Sequence, residues 1–83
     1  MSMDKFILDE AISIVSSYVG PTNNWMIIKK ELLKTLSPQD RMYFSTRDPV
    51  TKKQTMNTFE KIVAEKWRDK TGIYPILIDR NER

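Results

Sequence analysis

The residues with the most chemistry to offer lie in a basic loop and the helix behind it. Arg47, Lys52, Lys53 and Gln54 are followed by Asn57, Thr58, Lys61 and Arg68. Asn57, Lys61, Ala64 and Arg68 recur at intervals that place them on one edge of a helix. Ammonium and guanidinium groups neutralise phosphates, and side-chain amides reach base edges. A small alanine among them lets a helix come close to a surface. That is the pattern of a groove-reading helix, and equally of an ordinary solvated helix face. Lys30 and Lys34, one helical turn apart, form a second basic pair. They suit a phosphate or carboxylate contact, or a solvated lysine face partly offset by Glu31. Arg41-Met42-Tyr43-Phe44 sets aromatics between cations, fit for base stacking or for filling a thin core.

Catalysis has little to work with. The chain contains no Cys and no His, which removes the familiar nucleophile–base pairs and the commonest metal ligands. Its two glycines, Gly20 and Gly72, form no phosphate-binding loop. Asp9 with Glu10, and Glu65 with Asp69, read as ordinary surface charge. The expectation is a non-enzymatic chain with no cofactor, no metal site and no small-molecule substrate.

Two functions remain. The first is a nucleic-acid (DNA) binding regulator that uses Lys30, Lys34, Arg47, Lys52, Lys53, Gln54, Asn57, Thr58, Lys61 and Arg68. The second is a small protein-binding regulator, an inhibitor or adaptor of the kind a virus or mobile element encodes. It would act through an apolar face or through Tyr74, Ile76 and Ile78 of the C-terminal segment, with a homodimer as one form of the contact.

The elements that must position these residues follow from period and punctuation. The pattern predicts a mainly α, compact three-to-four-helix domain, with helices at about 4–19, 25–36, 38–45 and 55–70. A short C-terminal strand or extended tail is expected at 73–78. The order of elements is compatible with a helix-turn-helix derivative by fold-level analogy. In the first helix, Ile7, Leu8, Ala11, Ile12, Ile14, Val15, Tyr18 and Val19 share one apolar arc, and Gly20-Pro21 ends it. Asn23-Asn24 supplies N-cap residues for the second helix, whose stripe is Trp25, Ile28, Leu32 and Leu36. Ser37-Pro38-Gln39-Asp40 is a compact start for the third. A hairpin across Arg47-Asp48-Pro49 is the competing reading of 42–54. In the last helix, Asn57 with Glu60, or Thr55 alone, provides the cap. Phe59, Ile62, Val63 and Trp67 form the expected buried face, and Thr71-Gly72 stops it.

In the segment 73–78, Pro75 lacks an amide donor and points to an edge strand. Such a strand needs a partner: 43–46, 50–54, its own copy or another protein's edge.

The 83 residues are expected to form one small domain, with 1–3 and 79–83 fraying. The net charge is +3, and the basic excess lies in the middle third. There Lys29, Lys30, Lys34, Arg41, Arg47, Lys52 and Lys53 stand against Glu31, Asp40 and Asp48. Such asymmetry suits an acidic partner. No stretch approaches the roughly 20 apolar residues of a membrane span. Asp4, Asp9 and Glu10 interrupt the N-terminal apolar run, so no signal peptide is expected. The implied location is cytoplasmic.

Overall fold

The computed structural model describes residues 5–46, Val50 and 55–77. Among these the chain forms α1 (Lys5–Val19), α2 (Trp25–Thr35), α3 (Pro38–Arg41) and α4 (Thr58–Thr71). The mainly helical architecture is the one the periodicity predicts.

Each boundary has a local cause. α1 ends where Gly20 takes a left-handed φ of 77° and donates its amide to Ser16 O at 3.0 Å. Asn24 caps α2, its Oδ1 accepting from Met26 N at 3.0 Å and Ile27 N at 3.4 Å. Ser37 caps α3 by accepting from Asp40 N, with Pro38 in the first turn. α4 opens on a full capping box: Asn57 Oδ1 accepts from Glu60 N at 2.7 Å, and Glu60 Oε1 accepts from Asn57 N at 2.9 Å. It closes at Gly72, whose φ of 83° suits a residue without a side chain.

The core is one cluster. α1 contributes Leu8, Ala11, Ile12 and Val15, and α2 contributes Trp25, Ile28 and Leu32, followed by Leu36. Phe44, Val63 and Trp67 complete it. Phe44 meets Phe59 edge-on with ring centroids 5.3 Å apart, and Tyr43 lies against the same ring at 5.1 Å. Burial of these apolar side chains is the main force holding the helices together. Trp67 also donates Nε1–H to Thr22 O at 3.0 Å, tying α4 to the loop between α1 and α2.

Several sequence expectations shift. α3 is a single turn and stops at Arg41, short of residue 45. The chain then turns so that Phe44 enters the core, while Met42 faces outward. No strand forms over 43–46, and 47–49 and 51–54, where the rest of the hairpin reading falls, lie outside the described residues.

The C-terminal segment is an extended tail with one parallel bridge, Asn24 to Ile76. Trp25 N donates to Ile76 O at 2.9 Å and Ile76 N donates to Asn23 O at 2.8 Å. Among the described residues its partner is therefore the cap of α2 and not 43–46, while 51–54 lie outside them. Pro75 is buried beside this bridge, where its missing donor costs nothing.

The buried arc of α4 is also rotated. Glu60, Val63, Ala64 and Trp67 are buried, while Ile62 is exposed. In α1 the buried stripe is narrower than the apolar arc, leaving Ile7, Ile14 and Tyr18 in solvent.

Candidate interaction surface

The polar residues of interest divide into one buried cluster and several outward faces. The cluster begins with Lys29 on α2, which points inward to Glu60 on the first turn of α4. Lys29 Nζ lies 3.1 Å from Glu60 Oε2, with both side chains almost wholly buried. The contact is electrostatic rather than an aligned hydrogen bond. Lys29 also donates to Ser45 O. Ser45 Oγ in turn donates to Thr55 O at 2.6 Å, and Asn57 Nδ2 donates to Tyr43 O at 3.0 Å. Two chain segments, 43–45 and 55–57, are thereby joined to each other and to α2. Lys29 thus adds nothing to the basic surface.

Asn57 has both ends of its amide engaged, one as helix cap and one on Tyr43. Ala64 is fully buried, so it does not stand in an outward row with Lys61 and Arg68. Lys61 and Arg68 remain exposed on one flank of α4, and Thr58 is exposed at its start. Lys30 and Lys34 both face outward from α2, with the exposed Ile27 beside Lys34 on the helical wheel. Lys34 Nζ pairs with Glu31 Oε2 at 3.5 Å, whereas Lys30 has no ion-pair partner among the described residues. Arg47, Lys52, Lys53 and Gln54 lie outside the described residues, as does Ile78. Tyr74 and Ile76 are exposed on the tail, whose backbone is engaged at Ile76.

The feature that sequence reasoning assigned to the core is the outer face of α1. Ile7, Ile14 and Tyr18 are 44 %, 51 % and 78 % exposed. At 100° per residue they fall within an arc of about 40°, and at 1.5 Å per residue they span about 16 Å. Glu10 and Ser17, also exposed, border this line. On the opposite flank of α1, Asp9 pairs with Lys66 of α4 at 3.4 Å. A shallow depression lined by Asp9, Ile12, Lys66, Asp69 and Lys70 sits there, its charges of both signs close together. Among the described residues no group of His, Cys, Asp or Glu could hold a metal ion. No described helix is long and apolar enough to cross a membrane.

No family model, curated protein or solved structure matches this chain.

Proposed function

We propose that the chain is a non-enzymatic protein-interaction module that docks through the outer face of α1. The observation that carries this reading is the straight row Ile7, Ile14 and Tyr18, three large side chains held in water beside the buried stripe Leu8, Ala11, Ile12 and Val15. Exposed apolar residues scattered singly are ordinary, but an aligned row on one element marks a contact surface. Tyrosine and isoleucine on a rigid helix offer contact area at low entropic cost. The absence of Cys and His from the sequence supports a role without catalysis.

The nucleic-acid reading keeps the outward pair Lys30 and Lys34 on α2, together with the exposed Thr58, Lys61 and Arg68 of α4. Its α4 half is weakened, because Asn57 is consumed as a cap and Ala64 by the core. The two readings separate in one experiment on three forms of the full chain: wild type, Ile14→Asp, and Lys30→Glu with Lys34→Glu. Tagged protein is used to capture its partners in cells that make it, and binding to mixed-sequence duplex is followed by fluorescence anisotropy at low salt. The interaction reading expects a captured protein that is lost with Ile14→Asp and kept with the double lysine variant. It fails if capture is indifferent to Ile14 while duplex binding is strong, salt-dependent and abolished by the lysine changes.

A further inference from the structure

We infer that the α1 face pairs with the α1 of a second copy, antiparallel and related by a twofold axis at Ile14. This rests on the interaction reading above and names the partner. The face is a convex line on a helix rather than a groove, and the surface that fits such a ridge is another helix. Its polar groups identify which one. Glu10 and Tyr18 sit four residues on either side of Ile14. Both are exposed, and among the described residues neither side chain takes part in a hydrogen bond or ion pair.

In an antiparallel pair, residues equidistant from the axis on opposite sides face each other. With the axis at Ile14, Glu10 of each copy meets Tyr18 of the other. The phenol O–H donates and the carboxylate accepts, so both unpartnered groups are satisfied twice over. Ile14 packs on its own copy at the centre. Ile7 falls at the Gly20–Pro21 end of the opposite helix, where Pro21 is exposed and apolar. A parallel pair would instead set Glu10 against Glu10, and the repulsion disfavours it. The interface is self-complementary, as a closed twofold dimer requires. One helix face per protomer buries less than the roughly 1,200 Å² of a standard interface, so the dimer is weak and reversible. A dissociation constant on the order of 100 μM is expected.

The test uses the full chain in sedimentation equilibrium, from about 10 μM to about 1 mM, a range that brackets such a constant. Wild type is expected to pass from monomer to dimer. Ile14→Asp stays monomeric, and Tyr18→Phe raises the dissociation constant at least tenfold, because two charge-assisted bonds are lost. Circular dichroism verifies that the variants fold.

A second measurement does not depend on Ile14→Asp folding. The chain has no Cys, so a single introduced thiol is its only maleimide target. Ile14→Cys should cross-link to dimer with a short bismaleimide far more than Ile62→Cys, a position of similar exposure on α4 (51 % against 48 %). Equal cross-linking, a dimer that survives Ile14→Asp, or a monomer at every concentration overturns the proposal. If the chain is monomeric and Ile14→Asp still loses a captured protein, the second copy is excluded while the interaction reading stands.

Discussion

At the scale of single residues, the decisive pair is Lys29 and Glu60. Burying two charges is costly, and here the cost is offset by their mutual contact and by the bonds each makes to backbone. Removing one partner leaves the other charged and dry. Lys29→Met alone is therefore expected to destabilise the fold by about 3 kcal/mol or more. Glu60→Gln keeps an acceptor for the capping box but loses the charge. Combining it with Lys29→Met should recover much of the loss, because neither charge is then stranded. A double-mutant cycle from urea unfolding midpoints measures this. If the double variant is as unstable as the sum of the singles, the two residues do not act as a pair.

At the scale of elements, the rotation of the buried faces makes a sharp contrast between chemically identical side chains. Ile12 and Ile28 are buried, while Ile62 is half exposed on the outer side of α4. Ile12→Ala or Ile28→Ala should each cost about 2–5 kcal/mol, the usual loss for emptying an Ile site in a core. Ile62→Ala should stay within about 0.5 kcal/mol of wild type, as surface changes do. The same urea titrations report it, and a large loss at Ile62 would mean α4 presents the face that periodicity suggested.

That contrast also explains what was legible beforehand. The helix caps were, because their signals are local: Asn24, Ser37, the Asn57–Glu60 box, and the glycines at 20 and 72 all act on backbone within a few residues, whereas the end of α3 at Arg41 carries no such signal. The buried arc of α4 was not. Counting Glu60 as polar moved the apparent face toward Ile62, and nothing near Glu60 in sequence announces that Lys29 will neutralise it. The same long-range fact removes Lys29 from the basic surface. The partner of the tail was hidden for a related reason. The bridge from Ile76 to Asn23 and Trp25 is made by backbone atoms, which carry no side-chain signature. In α1 the period was right, but period alone does not say how wide a stripe two neighbouring helices can cover.

At the scale of the whole molecule, an 83-residue chain without disulfides rests on a single cluster around Trp25, Ile28, Leu32 and Trp67. A core of that size gives modest stability, so any contact that binds only the folded form is visible against it. Association through α1 must then couple to unfolding by mass action. At a chain concentration about ten times the dissociation constant the gain approaches 1.4 kcal/mol, which for a domain of this length raises the melting temperature by about 5 °C or more. Wild type should therefore melt higher as its concentration rises through the range where it pairs. Ile14→Asp removes the contact from an exposed position, so its melting temperature should be independent of concentration. Scanning calorimetry on both proteins at matched concentrations reads the difference directly. A wild-type melting temperature that does not move means that the chain does not self-pair over this range. The row on α1 would then serve a partner other than this chain.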